Sequence, residues 1–243
     1  MTKYITFLFL FLLLSCGEKS VNILGNKTIY YDTGEIKSKG NEKENLKQGK
    51  WISYHKNGKK LSEGSYKDNK RNGEWIFWFE NGVQRAKSNW KENLQHGKFQ
   101  AWHENGQKRT ESNWIDDKQD GKVLFWCENG QLKTEAIMKN GKLNGDRSEW
   151  FCDGTKKSIG SFDNSKPTGI YKIWFQNGQL NEQGNYTSSG QPDGEIKKYF
   201  KNGNLEFSVK FQNGLKEGIW KFYDSLGTEV KVENYNKGKL VKN

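Results

Sequence analysis

The chain has 243 residues, of which 33% are hydrophobic and 14% aromatic, and its formal charge at pH 7 is +11. So small a share of aliphatic side chains argues against one large closed core. Two prolines and 27 glycines favour short strands and turns over long helices. The composition therefore favours a thin array of repeated units, which buries flat aromatic layers between neighbours, over a compact globular domain.

The N-terminal segment predicts export. Tyr4 to Leu14 is apolar except for one Thr, and at 11 residues it is too short to span a bilayer as a helix, which takes about 20. It suits the core of a secretory signal and ends in Leu13-Leu14-Ser15-Cys16, which resembles the bacterial lipobox. The resemblance implies a signal peptide over residues 1–15, acylation of Cys16 and a lipid-anchored tether over residues 16–24. We therefore expect a membrane-anchored lipoprotein of the bacterial cell envelope, periplasmic or surface-exposed; the alternative is an ordinary signal peptide with an incidental cysteine.

The rest of the chain, residues 25–243, repeats with a period of 24 residues, with one extra residue before the eighth unit. Five residues into each unit stands an aromatic residue, and nine residues in stands a glycine, usually after Asn. Seventeen residues in comes a large apolar group, except at Glu42. A fixed period of this length predicts stacked copies of one small unit. The nine units open at Gly25, Gly49, Gly73, Gly97, Gly121, Gly145, Gly169, Gly194 and Gly218.

Each unit reads as a β-hairpin. Residues 50–56 are rich in β-formers, Asn57-Gly58 predicts a two-residue turn, and residues 59–67 return. Residues 68–73 then carry the chain to the next hairpin. The predicted fold is all-β, an elongated single-layer antiparallel meander of about nine hairpins.

A two-residue turn at Asn57-Gly58 would place Tyr54 opposite Leu61. By the same register Trp78 would face Arg85, Trp102 Arg109, Trp126 Lys133 and Trp150 Lys157, with the cations lying on the indoles. Small residues fifteen steps into each unit, such as Gly64, would leave room for the aromatic residues opposite, such as Trp51. A bulged three-residue turn would shift this register by one residue and change the pairs.

The aromatic and cationic residues of these pairs form the candidate binding surface, because Trp and Arg dominate interface energetics. The alternative is that these aromatic rings pack between hairpins. The members of this surface are Trp78, Trp102, Trp126, Trp150, Trp174, Arg85, Arg109, Lys133 and Lys157.

The remaining chemistry of the chain predicts neither an enzyme nor a metal or cofactor site. His55 and His103 occupy one repeat position two units apart, about 19 Å along the stack, too far to share a metal ion. Motifs of catalytic triads, metalloproteases or phosphate loops are absent from the sequence. Cys127 and Cys152 are one step out of phase in neighbouring units, so we expect no disulfide between them unless a bulge intervenes.

The unit Gly49-Lys50-Trp51-Ile52-Ser53-Tyr54-His55-Lys56-Asn57-Gly58, followed by Gly64-Ser65-Tyr66, resembles the MORN repeat, in particular its bacterial variant group. The resemblance covers about residues 25–242; Thr33-Gly34, Asp153-Gly154 and Leu226-Gly227 lack its Asn. It implies a curved sheet of stacked hairpins that contacts proteins or membranes, and some bacterial relatives are labelled antitoxin or immunity protein.

We therefore expect a protein-interaction scaffold with an unidentified protein partner. The alternatives are an immunity protein that neutralises a toxin, or a binder of envelope polysaccharide or anionic lipid. The positive charge favours anionic partners, but the lysines are scattered, which also fits simple solubility. Export argues against a nucleic-acid partner.

Overall fold

A computed structural model describes residues 24–241 as one open antiparallel sheet of 20 strands. The predicted signal peptide and Cys16 lie outside the described residues. The strands are β1 Gly25–Tyr30, β2 Ile36–Lys43, β3 Leu46–Tyr54, β4 Lys60–Lys67, β5 Lys70–Trp78, β6 Gln84–Lys91, β7 Leu94–Trp102, β8 Lys108–Ile115, β9 Lys118–Gln119, β10 Gly121–Trp126, β11 Leu132–Lys139, β12 Lys142–Trp150, β13 Lys156–Asp163, β14 Lys166–Trp174, β15 Leu180–Tyr186, β16 Gly194–Tyr199, β17 Leu205–Gln212, β18 Leu215–Tyr223, β19 Glu229–Asn236 and β20 Lys239–Leu240.

The strands follow one another through the sheet in chain order. β9 and β10 are two parts of one strand interrupted at Asp120, since both pair with β8. Every other strand pairs with its neighbours in the chain, as β3 does with β2 and β4. The predicted all-β meander of repeated hairpins is confirmed.

The Asn-Gly turns are three-residue loops, not the predicted two-residue turns. The His55 N–H donates to the Lys59 carbonyl (2.8 Å), and the Gly58 N–H donates to the His55 carbonyl (2.9 Å). Gly58 has φ +79°, while Asn57 is not among the residues of positive φ. This is the hairpin loop in which a type I turn is followed by a left-handed glycine, and it leaves a bulge in the ladder.

The loop shifts the predicted register by one residue at the loop end of the hairpin only, and the bulge restores the predicted pairing beyond it, as in Trp51 with Gly64. Tyr54 pairs with Lys60 and Ser53 with Ser62, so Leu61 is the extra residue of a bulge. The predicted pairing of Tyr54 with Leu61 is therefore wrong. So are the predicted pairs of Trp78 with Arg85, Trp102 with Arg109, Trp126 with Lys133 and Trp150 with Lys157, because these tryptophans pair with Gln84, Lys108, Leu132 and Lys156.

Two-residue turns lie at the opposite edge of the sheet. Asp68 and Asn69 have φ of 51° and 62°, and the flanking Lys67 and Lys70 pair with each other. Two consecutive left-handed residues define the type I′ turn that suits the twist of a hairpin. Equivalent turns are Glu44-Asn45, Glu92-Asn93, Asp116-Asp117, Asn140-Gly141, Asn164-Ser165, Asn213-Gly214 and Lys237-Gly238.

The asparagine of each Asn-Gly loop bonds to two units at once. Asn105 Oδ1 accepts from the Gln107 N–H (3.0 Å) of its own loop, and Asn105 Nδ2 donates to the Glu128 carbonyl (2.8 Å) of the next loop. An amide can do both, whereas an ionised carboxylate only accepts. Loops of neighbouring units are thereby tied together, as they also are at Asn57, Asn81, Asn129, Asn177 and Asn202.

A disulfide joins Cys127 and Cys152, with their Cα atoms 5.8 Å apart, so the prediction of no bond is wrong. That prediction rested on a separation of about 9–10 Å between equivalent positions of neighbouring units. At the loops this spacing does not hold, since the Asn129 amide reaches the Cys152 carbonyl at 2.6 Å. The direct contact between adjacent loops brings the two thiols within bonding range.

The main apolar layer lies on one face of the sheet, which we call the ring face. Two residues into the third unit, Trp75 is 2% exposed and its indole lies on Gly64 of the preceding unit. The indole Nε1–H donates to the Ser65 carbonyl (3.2 Å), beside an irregularity in the ladder between Gly64 and Ser65. Trp51 repeats this contact, on Gly40 and the Asn41 carbonyl (3.0 Å).

A cation covers each tryptophan at this position. The Arg71 guanidinium lies 4.7 Å from the Trp75 ring centre and 4.9 Å from that of Trp90. Lys47 covers Trp51 at 4.3 Å, and Lys216 covers Trp220 at 4.4 Å. In each case the cation precedes the tryptophan by four residues. Where the second-step residue is not Trp, the same place is occupied by Gln95, Gln119, Leu143, Pro167 or Pro192.

The opposite face of the sheet, the charged face, carries cross-strand ion pairs between lysine and glutamate. Lys122 and Glu135 form a diagonal ion pair across β10 and β11 at 2.6 Å, and Lys98 and Glu111 form one across β7 and β8 at 3.3 Å. Glu111 also accepts from Lys108 (2.8 Å) and Gln100 (3.0 Å). Hydrogen bonds from Lys108, Gln100 and Lys98 outweigh partial burial and lower the pKa of Glu111 to about 2.

We expect Gly64→Ala to destabilise the protein by about 1–3 kcal/mol, because the added methyl group would overlap the Trp75 ring. Gly160→Ala is the matched control. It occupies the same repeat position, but the nearest atoms to its added methyl group lie at 3.6 and 3.7 Å, so stability should stay within about 0.5 kcal/mol. Urea denaturation of both variants tests this, and equal losses would contradict the ring-on-glycine contact.

We expect Glu111→Gln to lower the free energy of unfolding at pH 7 by about 1 kcal/mol. The pKa of Glu111 is depressed in the folded state from 4.5 to about 2, so its stabilisation is complete above pH 4.5 and is lost as pH falls toward 2. The difference between wild type and variant should therefore shrink between pH 4.5 and 2. Urea denaturation across this range measures it, and a difference independent of pH would rule out the charge as its source.

Candidate functional site

Shallow depressions repeat along the edge of the sheet formed by the Asn-Gly loops, which we call the loop edge. One depression, of about 450 Å³, is lined by Trp102, Arg109 and the carboxylates Glu104 and Glu128. The next, of about 440 Å³, is lined by Trp78, Arg85, Glu80 and Glu104. Each places a half-buried indole beside an exposed guanidinium and two carboxylates from successive units. Such a surface can accept both charged and aromatic groups of a partner.

The predicted binding surface is therefore assembled in part, with a different geometry. Trp78 and Arg85 share one depression, and Trp102 and Arg109 share another, although neither pair is directly opposed in the ladder. All five predicted tryptophans are half-buried, Trp126, Trp150 and Trp174 included, while Lys133 and Lys157 are exposed.

The cations that lie on these indoles come from the preceding unit. Lys60 lies 5.5 Å from the Trp78 ring centre, and Lys108 lies 5.2 Å from that of Trp126. Lys156 lies 5.5 Å from the Trp174 ring centre. The loop-edge tryptophans therefore pack between units. Arg85 lies over the Phe77 ring of its own unit at 5.8 Å, and both Arg85 and Arg109 are exposed.

The two histidines of the loop edge have a structural partner. The His55 Nε2 lies 3.1 Å from the Trp78 carbonyl, and the His103 Nε2 lies 3.0 Å from the Trp126 carbonyl. Tyr31 uses the same repeat position to donate its hydroxyl to the Tyr54 carbonyl (2.7 Å). These side chains are equivalent links between adjacent loops. Within residues 24–241 no group of three or more His, Cys, Asp or Glu side chains is arranged to hold a metal ion.

The ring face is interrupted in the sixth and seventh units. Arg147 stands where Trp51 and Trp75 stand in the second and third units, and Gly160 is only half-buried. The side chain of Tyr171, the next ring along the sheet, lies against Gly184. A Cβ atom added to Gly184 would lie 2.7 Å from the Tyr171 ring. A cavity of about 380 Å³ results, lined by polar and apolar side chains including Arg147, Gly160, Phe162, Pro167 and Tyr186.

Polar groups in this cavity are satisfied by one another. Glu149 accepts from Arg147 (2.6 Å) and from the Ser158 hydroxyl (2.8 Å). The Tyr171 hydroxyl donates to Glu182 (2.6 Å), and burial together with that carboxylate raises the pKa of Tyr171. The pocket combines a guanidinium, two carboxylates and aromatic rings. It suits binding of a planar ligand with hydrogen-bond donors.

Neither the cations that cover Trp51, Trp75 and Trp220 nor this cavity was predicted from the sequence, although the sequence carries a signal for each. Lys47, Arg71 and Lys216 each precede a tryptophan by four residues, and the same place is not cationic in the other units. Reading the second step of successive units as Trp, Trp, Phe, Val, Arg, Tyr, Ile and Trp would have marked Arg147 as the break in the aromatic layer.

Comparison with known proteins identifies the repeat. The family model described as MORN repeat variant matches the chain five times, at residues 47–68, 95–116, 119–140, 167–187 and 192–213. Each match covers one hairpin of the sheet or most of it, and no curated protein matches the chain. Within residues 24–241 no helix is long and apolar enough to cross a membrane.

A solved structure titled "Crystal Structure of TcdB2-TccC3-Cdc42" matches 86% of this chain and 16% of that chain, at 11% identity and a TM-score of 0.18. The present chain thus spans about a sixth of the length of that protein, and a likeness this weak says nothing about function. The five family matches and the stacked hairpins agree with each other, and the chain carries repeats of the MORN repeat variant family between residues 47 and 213.

Proposed function

We propose that the protein is a non-catalytic, lipid-anchored scaffold of the bacterial cell envelope that binds a protein partner along its loop edge. The observation that carries this proposal is the repeated depression containing Trp102 with Arg109, and Trp78 with Arg85. Successive units present the same pair of side chains, so a partner gains several equivalent contacts. Trp and Arg are the residues that most often dominate binding free energy in protein interfaces.

Charge favours a protein partner over a purely anionic polymer at this edge. Glu80, Glu104 and Glu128 alternate with Arg85 and Arg109 around the depressions. A polyanion would be repelled by these carboxylates, whereas a protein surface can present both signs of charge.

Two features support the proposed location. The apolar run from Tyr4 to Leu14 followed by Cys16 has the pattern of a lipoprotein signal. The disulfide between Cys127 and Cys152 fits an oxidising compartment, which an exported protein reaches and a cytosolic one does not.

Replacement of Cys16 tests the lipid anchor. We expect the wild-type protein to fractionate with membranes and with the detergent phase, because an acyl chain adds about 0.8 kcal/mol of membrane affinity per buried CH₂. Cys16→Ser should fractionate with soluble proteins and take up no radiolabelled palmitate. Equal membrane association of both proteins would contradict acylation of Cys16.

Capture of a partner from solubilised envelope tests the binding surface. The lipidated chain should retain one protein stoichiometrically, and the double variant Arg85→Ala/Arg109→Ala should lose it, with affinity falling at least about tenfold. The control Lys98→Ala/Lys122→Ala removes the same two charges from the charged face and should capture normally.

Other outcomes favour other functions. A single toxin encoded beside this chain would identify an immunity protein. Retention of polysaccharide or anionic lipid instead of protein, falling steeply with salt, would contradict the protein-scaffold proposal. So would equal capture by both double variants.

A further inference from the structure

The cavity above Gly160 has the same framework as the sites that the chain fills with its own tryptophans. In the third unit, Trp75 lies on Gly64, donates its indole N–H to the Ser65 carbonyl and packs against the ring of Tyr66, with centroids 5.0 Å apart. The equivalent residues four units further along the chain are Gly160, Ser161 and Phe162, and all three line the cavity.

The chain's own ring is missing from this framework. Tyr171 stands where Trp75 stands, but its hydroxyl donates to Glu182 and its ring lies against Gly184 and Tyr186. A Cβ atom on Gly160 would touch only the Tyr171 Cβ at 3.6 Å and Phe162 at 3.7 Å. The floor that is covered by an indole at Gly40 and Gly64 is open at Gly160.

The space and the surrounding groups suit an indole. The cavity holds about 380 Å³, and an engineered cavity of about 150 Å³ already accommodates benzene. Pro167 and Phe162 line it with apolar surface, and Arg147, which also lines it, donates to Glu149 (2.6 Å). A saccharide would find acceptors here, but the open glycine floor matches a flat ring.

We propose that this cavity takes a tryptophan side chain from the protein partner, laid on Gly160 as Trp75 is laid on Gly64, with its N–H donated to the Ser161 carbonyl. The proposal rests on the proposed function in that the ring belongs to a protein. It adds a second contact on the ring face, separate from the loop edge.

Titration of the full chain with N-acetyl-tryptophanamide tests the site, with backbone amide chemical shifts as the readout. We expect saturable shifts centred on Gly160, Ser161 and Phe162, with a Kd on the order of 1 mM. N-acetyl-phenylalaninamide, which lacks the ring N–H, should bind more weakly. Tyr171→Trp should weaken binding of the tryptophan amide at least about tenfold, because its own indole would lie on Gly160 as Trp75 lies on Gly64.

The Tyr171→Trp variant should remain folded, since Trp51, Trp75 and Trp220 occupy the equivalent position of other units and are buried. Its circular dichroism and thermal midpoint check this. Lys172→Ala, on the opposite face of β14, is the matched control and should bind like wild type. Shifts spread evenly over all units, an unchanged affinity in Tyr171→Trp, or displacement of the same resonances by N-acetylglucosamine but not by the tryptophan amide would each overturn the proposal.

The outcome is separable from that of partner capture. If Tyr171→Trp captures the envelope partner as wild type does, the scaffold stands and the ring site for that partner is wrong. If no partner is captured while the tryptophan amide binds at Gly160, the site stands and the scaffold is wrong.

Discussion

A flat ring laid on the preceding unit is the contact on which the structure depends. The Trp75 indole covers Gly64 of the unit before it and bonds to the adjoining carbonyl, so one residue both packs and satisfies a polar group. A sheet with one layer has no second layer to bury its rings, and Trp51 and Trp75 are nonetheless only 2% exposed. Their burial comes from the preceding unit below and a cation above. Each unit is therefore stabilised by its contacts with the neighbouring units, as in other repeat arrays.

The edges of the sheet fix the spacing that this contact needs. At the loop edge, Asn105 closes its own loop and binds the next one. At the other edge, the Asn69 N–H donates to the Lys47 carbonyl (3.1 Å), and Asn69 Oδ1 accepts from the Lys47 N–H (2.7 Å). Both edges thus link neighbouring units through polar side chains at turns. The repeat of Asn reflects these links as well as its tolerance of turn geometry.

The period of the chain was sufficient to predict stacked hairpins, and the small residue opposite Trp51 was predicted for the right reason, since Gly64 pairs with it. The register was not predictable in the same way. Asn57-Gly58 fits both a two-residue and a three-residue loop, and the choice depends on bonds from Asn57 to the next unit, which lie 23 residues away. The disulfide was missed for the same reason, because only the contact between loops brings Cys127 near Cys152. The candidate surface was predicted by residue type, but its cations come from neighbouring units.

The two proposed binding sites differ in whether the contact between neighbouring units is complete. Arg85 and Arg109 remain exposed beside indoles that the stack already holds in place, and Gly160 lacks the ring that its counterparts have. The most direct measurement is the chemical shift of the glycine Hα protons together with their nuclear Overhauser effects to indole protons. Strong upfield shifts and indole contacts at Gly40 and Gly64, with neither at Gly160, are predicted. Ordinary shifts at Gly40 and Gly64 would show that the rings do not lie on the preceding units and would contradict the structure described above.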